Sequence, residues 1–159
     1  MTIKYNNVFI EDAYTICGNY ENDGPLSKYF DKKYEKDLYF GEKSWEQAEV
    51  HLLKEANTNI LKKNKLKEED IDLLISGDLQ NQIAASNYMA REFNIPFLGI
   101  FEACSTSGEG LAIGSTYIEG GFAKKILVST SSHNMAAEKQ FRNPTEYGKP
   151  KPKTATCTS

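Results

Sequence analysis

The residues with the clearest capacity for chemistry lie in the stretch 99–110, which reads Gly-Ile-Phe-Glu-Ala-Cys-Ser-Thr-Ser-Gly-Glu-Gly. An apolar strand is predicted to end at Ala103, and a helix of small residues is predicted to follow. Cys104 would then sit at a helix N-terminus, where unpaired N–H groups and the helix dipole favour the thiolate. The same N–H groups could hold an anion against the amides of Ser105 and Thr106. This turn therefore suggests two chemistries, those of a nucleophile and of an anion site.

Polar side chains also follow two other predicted strands. Asp78 follows one strand, and Ser131, Ser132 and His133 follow another. Ligands of parallel α/β sheets collect at the carboxyl ends of the strands, so these residues and Cys104 are predicted to share one site. Asp78 could hold a hydrogen-bond donor in place there, or it could simply form a turn. His133 could line the pocket, or it could cap local backbone.

Alternating strands and helices would position these side chains. A capping-box pattern at Ser44 opens a helix with one apolar stripe, and Asn64 ends it. The predicted elements, in chain order, are a strand over 8–16, a helix over 45–63, a strand over 71–76, a helix over 82–93, a strand over 97–101, a helix from Cys104 to Gly120, and a strand over 125–131. This order predicts a mostly parallel sheet with helices on its faces. The helix after Cys104 contains several glycines, which predicts close packing, so we expect it to be the buried central helix.

Length and composition narrow the class of protein. The 159 residues suit one domain, and the formal net charge of −3 argues against nucleic-acid binding. No apolar run is long enough for a membrane span. The three cysteines, Cys17, Cys104 and Cys157, are far apart, which favours free thiols in a reducing compartment. Neither they nor the two histidines have zinc-ligand spacing, so no metal site is predicted.

One segment departs from the strand–helix pattern. Residues 18–41 are rich in acids, lysines and aromatic residues. They could form an ordered excursion whose rings pack on the domain, which is the interpretation we favour. Alternatively, the aromatic residues could form an exposed patch that binds a partner. Further along, residues 132–153 are polar and show no helical period, and a β-like run begins at residue 154.

Three blocks of sequence resemble known proteins: Ala-Cys-Ser-Thr-Ser-Gly-Glu-Gly-Leu-Ala at 103–112, Gly-Gly-Phe-Ala at 120–123, and the run 131–148 from Ser-Ser-His-Asn to Thr-Glu-Tyr-Gly. The first resembles the nucleophile motif of thiolases and ketoacyl-acyl-carrier-protein synthases. The third is more specific, because it resembles the stage V sporulation protein AD family, which has a thiolase-like fold. The order of the predicted elements is similar to one half of that fold.

The resemblance implies an α/β, thiolase-like fold, of which this chain would be one βαβαβαββ half with helices on both faces of a mostly parallel sheet. Residues 1–159 would form the N-terminal half-domain of a longer chain, ending just inside its last strand. Residues 19–43 would be an insertion specific to the family.

For function, the resemblance implies a sporulation protein that binds dipicolinic acid (pyridine-2,6-dicarboxylate), with calcium as a possible companion and no other cofactor. It would support uptake of this ligand into the developing spore, at the cytoplasmic side or periphery of the spore inner membrane. Its partners would be integral membrane subunits of the same transport machinery and a second copy of itself. We expect the ligand at the strand ends, with these contacts: Asp78, Cys104, Ser105, Thr106, Ser131, Ser132 and His133.

The alternative function is acyl transfer of the ketoacyl-synthase kind, with Cys104 as the nucleophile. Such an enzyme also needs an activating base and an oxyanion hole. Thiolase-like enzymes draw their histidine from the second half of the fold. The resemblance therefore favours binding over catalysis for this chain.

Overall fold

A computed structural model describes residues 2–137 of the chain. The strands and helices are, in chain order, β1 (Ile16–Cys17), α1 (Asn19–Asn22), β2 (Lys32–Lys33), α2 (Trp45–Lys63), β3 (Leu73–Gly77), α3 (Ala84–Ala90), β4 (Phe97–Gly99), α4 (Thr106–Glu119), β5 (Ile126–Thr130) and α5 (Asn134–Ala137). Short 3₁₀ turns lie at Ser27–Tyr29, Glu68–Asp70, Asn81–Ile83 and Ala103–Ser105.

A parallel sheet of three strands, in the order β4-β3-β5, carries the predicted site. Ser76 of β3 pairs with Gly99 on one side and with Ser129 on the other, so the three carboxyl ends lie at one edge. Helices α2 and α3 pack on one face and α4 on the other. The predicted parallel sheet with helices on both faces is confirmed.

Helix α2 forms as its sequence predicts. The Ser44 hydroxyl accepts a hydrogen bond from the Gln47 N–H at 3.2 Å, and the helix ends at Asn64. Leu53 of α2 packs with Leu74 of β3 in the main apolar core. Burial of such leucine side chains stabilises the fold by about 1.5–3 kcal/mol each.

The predicted first strand is wrong over most of its length. Only its last residue, Ile16, belongs to a strand, and β1 pairs with β2 in a separate two-stranded sheet. Phe9 and Ile10 are 82% and 77% exposed. An apolar run becomes a strand only where a neighbouring backbone supplies hydrogen bonds, and within residues 2–137 none pairs with residues 8–14.

Helix α4 is buried along one stripe only. Thr106, Gly110 and Gly114 face the sheet, whereas Leu111 and Tyr117 are exposed. The expectation of a buried central helix is therefore met on one side and is wrong for the other. The glycines have the predicted purpose, because a Cβ on Gly110 would lie 2.6 Å from Cγ1 of Val128 in β5.

Residues 18–43, which contain the segment 18–41, form an ordered excursion, and the favoured interpretation that its rings pack on the domain holds for only part of them. Phe40 is buried and packs edge-to-face on Tyr34, with ring centroids 4.6 Å apart. Tyr20 and Tyr29 of the same segment remain exposed.

Two predictions concern the segment after β5. Helix α5 begins at Asn134, so the prediction that no helix follows residue 132 is wrong at that point. The β-like run 154–159 lies outside the described residues.

Candidate site at the strand ends

Cys104 lies in a 3₁₀ turn, Ala103–Ser105, that leads directly into α4. Ala103 has a φ of +45°, an unusual conformation for a residue with a side chain, which turns the chain sharply after β4. The side chain of Cys104 is exposed. The predicted position of an accessible thiol at a helix N-terminus is therefore present in the structure.

The amides predicted to receive an anion are already used inside the turn. The N–H of Ser105 donates to the Glu102 carbonyl at 2.9 Å, and that of Thr106 donates to the Ala103 carbonyl. Because the helical turn starts at Ala103, the first N–H groups without a helical partner belong to Ala103 and Cys104. The anion-facing end of the helix lies upstream of the residues that the sequence suggested.

Thr106 holds the turn together. Its side chain is buried, and its hydroxyl donates to the Ala103 carbonyl at 2.8 Å and accepts from the Glu102 N–H at 3.1 Å. Gly77 at the end of β3 allows this close packing, because a Cβ there would lie 2.5 Å from Cγ2 of Thr106 and 2.3 Å from the Ile100 carbonyl oxygen. Thr106 therefore supports Cys104.

Asp78 is a buried turn residue, only 2% exposed. One carboxylate oxygen accepts from the Gln80 N–H at 2.8 Å, and the other accepts from the Ser86 N–H at 2.7 Å. Both oxygens thus hold the loop between β3 and α3. The simpler of the two interpretations proposed for Asp78 accounts for all of these contacts.

His133 is buried after β5 and holds the excursion 18–43 in place. Its Nε2 lies 2.8 Å from the Leu38 carbonyl oxygen, and its Nδ1 accepts from the Ala136 N–H at 3.4 Å. The ring also packs against Phe40, with centroids 5.7 Å apart. Burial lowers the pKa of His133, partly offset by the bond to Leu38, so the neutral ring donates through Nε2. These contacts match the capping interpretation of this histidine.

Ser131 and Ser132 differ in orientation. The Ser131 hydroxyl donates to Oε1 of Glu49 at 3.0 Å, on the α2 face of the sheet, whereas Ser132 is exposed. Of the seven predicted contacts, the exposed ones are Cys104, Ser105 and Ser132.

Glu49 of α2 is the polar residue that sequence reasoning missed. It is 1% exposed, and besides Ser131 it accepts from Nε2 of Gln80 at 2.8 Å and from the backbone of His133. Burial raises the pKa of Glu49 to about 7, against the hydrogen bond from Gln80, and the negative charge of Asp78 adds to the rise. A signal was available, because Glu49 lies four residues after Trp45 and falls beside the apolar stripe of α2.

The sheet separates the predicted site residues into two groups. Side chains alternate along a strand, so Gly77 faces α4 whereas Ser76 and Asp78 face α2 and α3. Cys104 and Thr106 therefore form a first group on the α4 side of the sheet. A second group lies on the α2 side and consists of Asp78, Ser131 and His133. The site residues share one edge of the sheet but do not all face one cavity.

Comparison with known proteins identifies the family. The family described as Stage V sporulation protein AD (SpoVAD) matches residues 1–159, the whole chain. This chain belongs to the SpoVAD family. The stage V sporulation protein AD of Bacillus subtilis (strain 168) is 52% identical over 151 residues, which are 95% of this chain and 44% of that protein. The chain thus spans less than half the length of that SpoVAD protein.

A solved structure shows the same fold. The 3-oxoacyl-[acyl-carrier-protein] synthase III from Aquifex aeolicus VF5 superposes with a TM-score of 0.50 over 55% of this chain and 30% of that chain, at 22% identity. The thiolase-like fold predicted for this SpoVAD family member is confirmed.

Within residues 2–137, no group of three or more His, Cys, Asp or Glu side chains is placed to hold a metal ion. Both oxygens of Asp78 accept backbone N–H groups, from Gln80 and Ser86. In the same part of the chain, no helix is long and apolar enough to cross a membrane.

Proposed function

We propose that this chain is part of a sporulation protein that binds dipicolinic acid and supports its uptake into the developing spore. Membership of the SpoVAD family carries the proposal, because this ligand is the one that the resemblance implies. The ligand is a flat ring with two negative charges. It needs hydrogen-bond donors for the charges and an apolar surface for the ring.

The strand-end edge offers both kinds of contact. The Cys104 turn presents the N-terminal end of α4, which favours an anion, and the exposed hydroxyl of Ser132 is a further donor. Phe101 is half exposed at the end of β4 and offers a flat apolar surface. Strands β4 and β5 flank β3, so their backbones lie about 10 Å apart, a span suited to a small ligand.

Titration calorimetry of dipicolinate with the intact protein, with and without calcium, tests this proposal. Losing a hydrogen bond to a charged group costs about 1.5–3 kcal/mol, so Ser132→Ala should weaken binding about tenfold or more. Phe101→Ala should also weaken it, whereas Phe122→Ala, which removes an exposed ring beyond the other end of α4, should not. Circular dichroism checks that the variants fold. Absence of binding, or equal affinity in all four proteins, would refute the proposal.

The same family membership supports a proposal about where the protein acts and what it assembles with. We expect it at the periphery of the spore inner membrane, beside integral membrane subunits of the same machinery. We also expect a homodimer, and the exposed side of α4, with Leu111 and Tyr117, offers an apolar surface for it. Light scattering that gives a clean monomer at high concentration would count against the dimer.

Acyl transfer is the second candidate, and one observation favours it. Cys104 is exposed at the start of α4, in a fold shared with a 3-oxoacyl-[acyl-carrier-protein] synthase III. In this reaction the Cys104 thiolate attacks the carbonyl carbon of a thioester, the bond between that carbon and the sulfur of coenzyme A breaks, and coenzyme A leaves as a thiolate that takes a proton from solvent. A mass increase on Cys104 after incubation with acyl-CoA, absent in Cys104→Ala, would support the enzyme. If no adduct forms, ligand binding is the function that remains.

A further inference from the structure

Glu49 connects the loop that follows β3 and the loop that follows β5. Its carboxylate accepts from the Gln80 side chain, in the loop after β3, at 2.8 Å. It also accepts from the Ser131 hydroxyl at 3.0 Å and from the backbone of His133, both after β5. With 1% exposure, this carboxylate has exchanged water for three protein donors. Whatever changes its charge therefore acts on both loops at once.

The groups around Glu49 do not neutralise its charge. Asp78, from the end of β3, adds a second negative charge. His133 is held neutral by burial, and its Nε2 donates to Leu38. Glu46, one turn earlier on α2, contributes a further negative charge that acts on His133. A ligand with two negative charges at this edge of the sheet would therefore add to the negative charge that already surrounds Glu49.

We propose that Glu49 couples binding of the dicarboxylate at the carboxyl ends of the strands to the uptake of one proton. The inference rests on the proposed function, because it concerns the same ligand and the same edge of the sheet. The proton comes from solvent and is held on the carboxylate of Glu49. Glu49 acts through Ser131 and need not touch the ligand, so it is a positioning residue.

Two physical effects give the coupling its direction. The negative charge of the ligand disfavours the ionised form of a nearby carboxylate, so binding favours protonated Glu49. The Ser131 hydroxyl adds a second effect. Ionised Glu49 accepts a hydrogen bond from the Ser131 hydroxyl, whereas protonated Glu49 donates its own O–H to the Ser131 oxygen. The proton of Ser131 is then free to point towards a ligand carboxylate.

The expected size of the effect follows from the charges. Like charges one or two strand spacings apart in a partly buried site interact strongly enough for about a tenfold change in affinity. Dipicolinate affinity should therefore fall about fivefold from pH 6 to pH 8, a range that covers most of this change and in which carboxylic acids such as the ligand are ionised. The titrating group is then on the protein.

Calorimetry in two buffers of different ionisation enthalpy measures the protons taken up per dipicolinate bound. At pH 7 the intact parent protein should take up a measurable fraction of one proton. Glu49→Gln should take up almost none, and its affinity should not vary between pH 6 and pH 8. Its amide can still accept from Gln80 and donate to Ser131, so the loops should stay in place. Glu69→Gln, which removes an exposed carboxylate elsewhere, should behave as the parent does.

The outcomes separate this inference from the proposed function. If Glu49→Gln binds dipicolinate with the same proton uptake as the parent, the inference is wrong and the binding function stands. If the parent binds no dipicolinate between pH 6 and pH 8, the proposed function fails, and the coupling fails with it. If Glu49→Gln does not fold, Ser131→Ala decides, because loss of the hydroxyl should reduce the pH dependence of affinity. An unchanged pH dependence in Ser131→Ala would then overturn the inference.

Discussion

Replacing the buried carboxyl of Glu49 with an amide should change how the stability of this protein depends on pH. Glu49→Gln keeps the size and shape of the side chain and removes its charge. The amide oxygen can still accept from Gln80, and the amide N–H can donate to the Ser131 oxygen. The Ser131 hydroxyl rotates to accept this bond. The variant should therefore keep the packing and lose only the titration.

The size of the effect follows from the pKa of Glu49, which burial raises from 4.5 to about 7. An acid with a higher pKa in the folded state binds its proton more tightly there, so it stabilises the fold at low pH. That contribution is complete below pH 4.5 and is lost as the pH rises through 7. Each unit of pKa difference is worth about 1.4 kcal/mol, so the full loss is about 3 kcal/mol. Between pH 5.5 and 8.5 the parent should lose about 2 kcal/mol of unfolding free energy through this group.

Urea unfolding of parent and variant at pH 5.5, 7 and 8.5, followed by circular dichroism, measures the difference. The free energy of unfolding of Glu49→Gln relative to the parent should rise by about 2 kcal/mol from the lowest to the highest pH. Glu69→Gln serves as the control, because its exposed carboxylate should leave the pH dependence unchanged. A stability difference between Glu49→Gln and parent that stays constant with pH would refute the reasoning.

Three further predictions test the turn and the loops. Gly77→Ala should destabilise the protein by about 1–3 kcal/mol in urea unfolding, because its Cβ meets Thr106 and the backbone. Gly108→Ala, where nothing lies within 4 Å, should instead stabilise α4 by about 0.5–1 kcal/mol, and equal effects of the two changes would contradict the packing described. His133→Ala should speed proteolytic cleavage within residues 18–43, since the bond to the Leu38 carbonyl is lost, and unchanged cleavage would show that other contacts hold this segment. An alkylating reagent should label exposed Cys104 well before buried Cys17, as measured by peptide mapping, because burial raises the pKa of Cys17; equal labelling would contradict the turn geometry.

The sequence predicts those parts of the fold that depend on neighbouring residues in the chain. The Ser44 cap and the apolar stripe of α2 are local patterns, and α2 begins and ends where they indicate. The same holds for the sharp turn at Cys104 and for the small residues of α4. The prediction of a strand over 8–16 is wrong for most of these residues, because a hydrophobic sequence alone does not supply a neighbouring backbone for hydrogen bonding.

The candidate site shows the same division. Sequence order places Asp78, Cys104 and Ser131 at the ends of parallel strands, and they do lie at one edge of the sheet. It does not determine which of these side chains are available to a ligand. That depends on the donors and acceptors that distant segments bring to each of them. The carboxylate of Asp78 accepts hydrogen bonds from its own loop, and the hydroxyl of Ser131 donates to Glu49 of α2.

By itself, the sequence determined the α/β class, the parallel sheet, the turn at Cys104 and the family. These follow from periodicity, caps, glycines and motifs that are read along the chain. Only the tertiary structure decided that α4 keeps an exposed side and that His133 holds the excursion 18–43. Only the fold, too, buries Glu49 between two loops more than 30 residues away from it along the chain. Burial and hydrogen-bond partners are properties of segments brought together in space, so their effect on a carboxyl group appears only once the chain is folded.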